Sequence, residues 1–390
     1  MHSFNKPSRI VITCSKRLSP FLQREVIELG YKVTETFQTG VELSGTINDC
    51  IRLNLNLTCA SQVLYSLKSF RCSDPNELYE IVSQIQWETI IHKEGYFSVT
   101  GNVNTPTVNN SLYANVKVKD AVVDRFRDKL ETRPDSGSQT DQFVINLFWK
   151  NEDAEIFIDT SGDTLSKHGY RKIPGKAPML ESLAAATLLA TKWNRQSPFI
   201  NPMCGSGTLA IEAVMQATGR RPGLFRTNYG FMHVAGFDPE FFETEKQKLK
   251  DQIKTVPGLK IIATDISEDA INISKINAGA AGVADLIEFD VCDFAETNVP
   301  ENEEGIVFFN PEYGERMGDE IELAETYSRM GDFMKKKCKG YTGYVFTGNP
   351  HLAKKIGLKA KRKIEFYTSK IDCRLLEYEL YSGTRKIEKD

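Results

Sequence analysis

The chain of 390 residues has no apolar run of the ~18 residues that a membrane-crossing helix requires. Its opening residues, MHSFNKPSRIVITC, lack a charged head, an apolar stretch and a small-residue cleavage site, so no secretory leader is expected. Eight cysteines, at 14, 50, 59, 72, 204, 292, 338 and 373, include no CxxC pair. Neither a zinc site nor a redox couple is expected, no metal is implied elsewhere, and reduced thiols point to a cytoplasmic setting. No charge of one sign dominates: the formal net charge is −3 and the pI about 6.1. A nucleic-acid partner is therefore invisible in the total and has to be sought in local basic clusters. Internal repeats and long linkers are also missing. What is present, 41% hydrophobic and 26% charged residues, is an ordinary globular composition, and the length suits two or three domains.

The basic clusters are three. One runs Lys167-His168-Gly169-Tyr170-Arg171-Lys172 and on to Lys176; the others span 335–339 and 354–363. Each reads either as a solvated helix face or loop end, or as a set of phosphate contacts.

Residues 9–70 read as strand, helix, strand, strand, helix, strand. The strand at 9–14 is β-branched, the helix at 18–29 starts at Ser19-Pro20 and stops before Gly30, and strands at 31–37 and 40–44 flank Gln38-Thr39. A helix over 46–57 and a strand over 62–70 complete a split βαβ, or ferredoxin-like, unit. Asp74 or Ser73 then caps a helix expected over 76–91. A strand at 96–103, a helix at 113–130 and a hairpin of 143–149 with 154–159 form a second α+β unit. From about residue 164 short apolar strands alternate with helices: 199–200, 260–263, 287–289, 306–309 and 343–346, followed by an antiparallel pair at 363–368 and 375–381. Seven strands in this order make an α/β fold with a mostly parallel, doubly wound sheet.

Four strand exits carry chemistry. The first is Asn201-Pro202-Met203-Cys204-Gly205-Ser206-Gly207-Thr208 ahead of a helix, a turn that lets backbone approach a ligand. No Gly-Lys-Ser/Thr follows, so it is no phosphate loop, and the third glycine of a dinucleotide fingerprint is missing. The second is Asp265, placed to accept both hydroxyls of a ribose or to cap the helix that starts near Ser267. The third is Asp293, which could take a hydrogen bond from an adenine amino group or serve as an ordinary loop residue. The fourth is Asn310-Pro311-Glu312-Tyr313-Gly314. An amide oxygen and a prolyl carbonyl there can both accept from an exocyclic NH2, while Tyr313 offers a flat face to a base.

Together these exits resemble class I S-adenosyl-L-methionine-dependent methyltransferases that act on base amino groups. With Lys167-His168-Gly169-Tyr170-Arg171, Ala177-Pro178-Met179-Leu180-Glu181 and Asn310-Pro311-Glu312-Tyr313-Gly314-Glu315-Arg316, the chain is similar to THUMP-domain RNA methyltransferases. Among these it looks most like the bacterial large-subunit rRNA guanine-N2 methyltransferases. The resemblance covers nearly the whole chain. It implies a ferredoxin-like piece over 1–70, a THUMP RNA-binding domain over 71–163 and a Rossmann-like methyltransferase domain over 164–390.

The resemblance also implies roles. Asn310, Pro311 and Tyr313 would be catalytic. Pro178, Glu181, Asn201, Cys204, Gly205, Ser206, Gly207, Asp265 and Asp293 would bind S-adenosyl-L-methionine. Arg171, Lys172, Lys361 and Arg362 would meet RNA phosphates. Two positions depart from the family. Glu312 replaces a second proline, which restores a backbone N–H and sets an acid beside the base pocket. Asn201 replaces an aspartate, losing a charge near the methionine amino group but keeping an acceptor. Some members carry a second methyltransferase domain, and the end at Asp390 predicts none here. The expected activity is methylation of guanine N2 in rRNA. Transfer to tRNA guanine, a non-catalytic assembly factor and adenine-N6 methylation of DNA are the alternatives. For the last, the first 163 residues would have no role.

Overall fold

The computed structural model describes residues 5–108, 110–176, 178–301, 303–314, 317–368 and 371–381. The chain forms two compact units. One holds the stretch up to Ser15, Leu22–Ser166 and Pro222–Asp251; the other holds Lys16–Phe21, Lys167–Arg221 and the chain from Gln252 onward.

The first unit is built on β1 (Ser8–Thr13), α1 (Ser19–Glu28), β2 (Val33–Phe37), β3 (Gly40–Gly45), α2 (Ile47–Asn56), β4 (Gln62–Arg71), α3 (Pro75–Ser83), β5 (Tyr96–Asn104), α4 (Ser111–Leu130), β6 (Asp135–Gly137), β7 (Phe143–Lys150) and β8 (Asp153–Asp159). Its eight strands make one sheet in the order β2-β3-β1-β4-β8-β7-β5-β6. The antiparallel pairing of β4 with β8, Leu64 opposite Asp159, joins the strands of the N-terminal stretch to those that follow. Asp74 caps α3 through the N–H groups of Asn76 and Glu77.

The helix expected over 76–91 is shorter than its pattern. α3 stops at Ser83, and a separate turn of 3-10 helix covers Trp87–Thr89. Side chains supply the reason. Arg125 donates to the Ser83 carbonyl at 3.1 Å and grips both oxygens of Glu88, and the buried Trp87 indole donates to the Val82 carbonyl. These donors meet carbonyls that a further helical turn would otherwise satisfy.

The second unit contains α5 (Glu181–Ala190), β9 (Phe199–Pro202) and α6 (Thr208–Thr218). The chain then contributes α7 (Pro239–Asp251) to the first unit and returns as β10 (Ile261–Asp265), α8 (Glu268–Ala280), β11 (Glu288–Val291), β12 (Ile306–Phe309), α9 (Met317–Lys337), β13 (Thr342–Thr347), α10 (Pro350–Lys355), β14 (Arg362–Thr368) and β15 (Ile371–Glu379). The sheet order is β11-β10-β9-β12-β13-β15-β14, with the first five strands parallel and β15 antiparallel to both neighbours. This is the α/β sheet that the strand–helix alternation predicts, and its seven strands are those read from the sequence. β9 and β12 are buried along their whole length, as strands covered on both faces must be.

Three elements escape the pattern reading. β6 has only three residues. α7 lies in the stretch 219–258 that reads as a bare insertion. α5, ESLAAATLLA, is buried at nine of its ten positions and so shows no polar stripe. Arg226, in the same stretch, donates to the backbone carbonyls of Ser161, Asp163 and Thr164 and lies over the Tyr229 ring. Arg226 is a brace within the first unit.

Candidate active site

The strand order reverses between β9 and β12, and the parallel strands end at one edge there. Val307 is level with Ile200, and Ile200 with Ile262. Continuing that register, Asn310, Met203 and Asp265 stand side by side at the ends of three neighbouring strands, each strand about 4.8 Å from the next. Open α/β sheets bind ligands at such a switch point.

The turn after β9 needs left-handed backbone at Met203, Gly205 and Gly207, with φ of 59°, 56° and 81°. At Gly207 a side chain would also start 3.0 Å from Ser274, whereas Gly205 faces open space. The turn is held by α8. Ser274 Oγ donates to the Gly205 carbonyl at 2.7 Å, and Asn277 Nδ2 donates to the Ser206 carbonyl at 3.1 Å. Cys204 is buried, and burial with the nearby Asp265 carboxylate pushes its thiol up to about 12, so it stays protonated.

Asp265 accepts the Gly205 N–H on one oxygen, at 2.9 Å, and the Ser267 N–H on the other, at 3.0 Å. The cap of α8 is Ser267, whose Oγ accepts from Ala270, so the capping role open in the sequence falls to Ser267. A carboxylate has about four acceptor positions. Two thus remain to Asp265 for vicinal hydroxyls, while its bond to Gly205 shapes the turn. Asp265→Ala is expected to weaken S-adenosyl-L-methionine binding at least ~10-fold, from two lost bonds to a charged acceptor. Titration calorimetry on wild type and variant checks this, and equal affinities would remove Asp265 from the site.

The segment around 167–181 behaves differently from its sequence reading as a basic cluster. His168 and Tyr170 are buried, and both bond Glu212 Oε1, at 2.7 and 2.8 Å. Arg171 turns inward too: its guanidinium donates to the Met179 carbonyl at 2.5 Å and to Thr208 Oγ1 at 2.9 Å, and lies 3.4 Å from Glu181 Oε2. The guanidinium is committed to three internal partners. Lys172 keeps an exposed side chain, while its N–H and that of Ile173 donate to Asn277 Oδ1, at 2.8 and 3.1 Å. Asn277 Nδ2 returns a bond to the Ile173 carbonyl at 2.9 Å. One amide thus ties this segment to the glycine turn. Pro178 is half-buried just before α5; Ala177, like Glu315 and Arg316, lies outside the described residues.

Near the turn, Asn201 Oδ1 is a buried acceptor with no hydrogen bond among the described residues, and Glu181 Oε2, also without one, has only the ion pair with Arg171 at 3.4 Å. Asn201 spends its NH2 on the Phe308 carbonyl at 3.0 Å, which fixes its oxygen. Glu181 opens α5 with 2% of its surface exposed. Burial pushes its carboxyl above the usual range against the opposing pull of Arg171. Unsatisfied buried acceptors beside a glycine turn suit a ligand that carries ammonium and sulfonium charge, and S-adenosyl-L-methionine carries both. The residues present fit that cofactor.

Across the switch point, Asn310 Oδ1 accepts the Tyr313 hydroxyl at 3.1 Å. Pro311 is buried and Glu312 exposed, its carboxylate 3.9 Å from Lys176 Nζ. The loop is held from behind. Tyr327 of α9 donates to the Glu312 carbonyl at 3.1 Å, and Asn349, which caps α10, donates to the Tyr313 carbonyl at 3.1 Å. Burial pushes the Tyr313 phenol well up, so its hydroxyl remains a donor. The ring that the sequence offers to a base packs against Phe346, 6.2 Å away and tilted by 60°.

Asp293 caps the short turn Phe294–Glu296 and accepts Arg329 at 2.8 Å on the same oxygen. Burial disfavours its charge, but Arg329 and the Ala295 N–H outweigh that and hold the carboxyl below the usual range. Both of these bonds fall on Oδ1. Lys361 and Arg362 stand at the start of β14, the end away from the catalytic edge, three strands from β12. Lys361 pairs with Glu379; Arg362 pairs with Glu377 at 3.0 Å and donates to the Ala190 carbonyl at 2.6 Å. Both side chains are half-exposed and pair with carboxylates of β15.

The residues missed by the sequence are Ser274, Asn277, Glu212, Tyr327 and Asn349. A signal did exist for two of them. Ser274 and Asn277 share a face of α8 with the buried Ile271 and Ala278, and polar residues on an apolar stripe need partners.

Residues 168–377 match the model of the RMKL-like methyltransferase domain, more than half of the chain. The chain belongs to the RMKL-like methyltransferase family. Residues 9–64 match the RlmL ferredoxin-like domain and 72–159 the THUMP domain. A ribosomal RNA large subunit methyltransferase K/L of Syntrophotalea carbinolica is 34% identical over 96% of this chain and 54% of its own length. The RMKL-like chain thus spans about half the length of the curated relatives it matches. Among solved structures, one named a predicted N6-adenine-specific DNA methylase, from Listeria monocytogenes, is 30% identical with a TM-score of 0.86, over 96% of this chain and 97% of its own. SMU.472, a candidate methyltransferase solved with SAH, has a TM-score of 0.87 at 24% identity, over 97% of this chain and 100% of its own, and shows the shared fold. Among the described residues of this RMKL-like protein no helix is long and apolar enough to cross a membrane.

Proposed function

We propose that this protein transfers a methyl group from S-adenosyl-L-methionine to an exocyclic base amine in RNA, with N2 of a guanine in large-subunit rRNA as its target. The observation that carries the reading is the placement of Asn310 and Pro311 at the exit of β12, one strand from the glycine turn of β9. The cofactor supplies a methyl group on a positively charged sulfonium. The chain supplies position. Asn310 Oδ1 and the Pro311 carbonyl accept the two N–H bonds of the amine, which turns its lone pair toward the donor. A guanine N2 lone pair is delocalised into the ring. The same two acceptors favour the pyramidal, positively charged nitrogen of the transition state over the flat ground state.

Asp265 orients a ribose, Asp293 an adenine, and Asn201 with Glu181 the cationic end of the cofactor. Tyr313 acts first through its hydroxyl, which fixes the Asn310 amide. Lys172 remains as a phosphate contact near the site, and the THUMP domain docks RNA structure. The relatives' name, ribosomal RNA large subunit methyltransferase K/L, supports rRNA as the substrate class.

The test is incubation of the protein with tritiated cofactor and, separately, RNA and DNA from cells that lack it, followed by nucleoside mass spectrometry. N2-methylguanosine in large-subunit rRNA is the expected product. Label in tRNA would move the substrate class, and N6-methyladenine in DNA would favour the activity named for the Listeria protein. Intact cofactor binding without any label would make the chain an RNA-binding assembly factor.

A further inference from the structure

We infer that Lys16–Phe21, a loop and helix start near the N-terminus, positions the Asn310–Tyr313 loop through a file of aromatic rings. Phe21 stacks on Phe366 at 5.5 Å and 7° between planes. Phe366 meets Phe346 edge-on at 5.8 Å, and Phe346 meets Tyr313 at 6.2 Å. The file ends where the Tyr313 hydroxyl bonds Asn310 Oδ1. Phe346 and Phe366 are fully buried, so the two inner rings cannot move without displacing their neighbours.

The outer end of the file is fastened too. Arg17 has φ of +71°, a conformation that costs a non-glycine residue energy and persists only when its surroundings impose it. Its guanidinium reaches the β14–β15 hairpin, pairing with Asp372 and Glu365 and donating to the Phe366 carbonyl. Lys16 Nζ lies 4.8 Å above the Tyr367 ring. The segment therefore grips the hairpin at Phe366 itself. Tyr313 is held at its own end by the bond from Asn349 to its carbonyl, at 3.1 Å.

Phe21 touches neither substrate nor cofactor in this arrangement; it is a positioning residue that acts through Tyr313. The inference rests on the reading of Asn310 as the residue that holds the base amine. Phe21→Ala is expected to lower kcat about 5- to 10-fold, the worth of one aromatic pair, with KM for RNA and cofactor affinity unchanged. In a Tyr313→Ala background the same change is expected to have no further effect. Phe21→Tyr, which keeps the ring, should restore the rate. Unchanged kcat, or an equal loss in both backgrounds, would overturn the inference. Arg17→Gly tests the same grip, because glycine tolerates the left-handed backbone while the ion pairs go; it should mimic Phe21→Ala. A 3-fluorotyrosine at position 313 gives a readout independent of catalysis. Its fluorine resonance should shift in Phe21→Ala, and an unmoved line overturns the coupling even if the protein proves to methylate nothing. Wild-type protein that labels no nucleic acid, with a shifted line, defeats the catalytic reading and leaves the coupling standing.

Discussion

Asn310→Ala is expected to slow methyl transfer by about 100- to 1000-fold while leaving affinity for S-adenosyl-L-methionine within twofold. The magnitude is that of removing one preorganised polar group aimed at charge that develops in a transition state. Asn310 is suited to such a role. It follows a strand buried on both faces, and its oxygen is already aligned by the Tyr313 hydroxyl. Little reorganisation is left to be done when the amine arrives. Single-turnover transfer from tritiated cofactor, with RNA in excess, measures the step directly. Asn310→Asp keeps an acceptor for both the Tyr313 hydroxyl and the amine, and it should retain more activity than the alanine variant. A rate for Asn310→Ala within threefold of wild type would refute the assignment of this side chain to the amine.

The second large effect is expected at a residue outside the motifs. Asn277→Leu should reduce cofactor affinity at least 10-fold and cost about 2–4 kcal/mol of stability. Four hydrogen bonds are lost at once: from the N–H groups of Lys172 and Ile173, and to the carbonyls of Ile173 and Ser206. Each is worth about 0.5–1.5 kcal/mol net, and a buried backbone group left without a partner costs more. The chemical meaning is more specific than lost stability. The amide joins the 172–173 segment to the glycine turn, so its loss frees both from one another. Asn277→Asp keeps the acceptor and loses two donors, and it should fall between wild type and leucine. Calorimetry with the cofactor and urea unfolding of the same samples separate binding from stability. An unchanged cofactor affinity in a destabilised Asn277→Leu protein would reduce the residue to ordinary packing.

Much of the second unit was legible because strand exits are local chemistry. An apolar strand followed by glycines, Asp265 after a β-branched run, and Asn-Pro after Phe308-Phe309 each specify their own turn. Strand alternation then aligns those turns on one edge. The first unit was legible for the same reason at its caps and hairpins, as Asp74 and the Asn151 turn show. α5 was not, because a helix buried on every side has no hydrophobic period to detect. The end of α3 was not, because one of the donors that terminate it comes from Arg125, about forty residues on.

Charge was the least legible feature. In the sequence, Arg171 and Lys172 are two neighbouring cations. In the fold one guanidinium lies inside with Glu181, Thr208 and the Met179 carbonyl, and the other side chain is in solvent. Lys361 and Arg362 likewise look free until β15 brings Glu377 and Glu379 alongside. A carboxylate distant in sequence decides whether a cation is available to RNA.

The sequence by itself determined which strands end in which turns, and hence the fold class. Only the tertiary structure decided what holds those turns: Ser274 and Asn277 from α8, Tyr327 and Asn349 behind the Asn310 loop, and Phe21 at the far end of the ring file. Turn chemistry depends on a few consecutive residues and can be read in order. The partners of a turn are chosen by packing between segments far apart in the chain, and linear order holds no record of that choice.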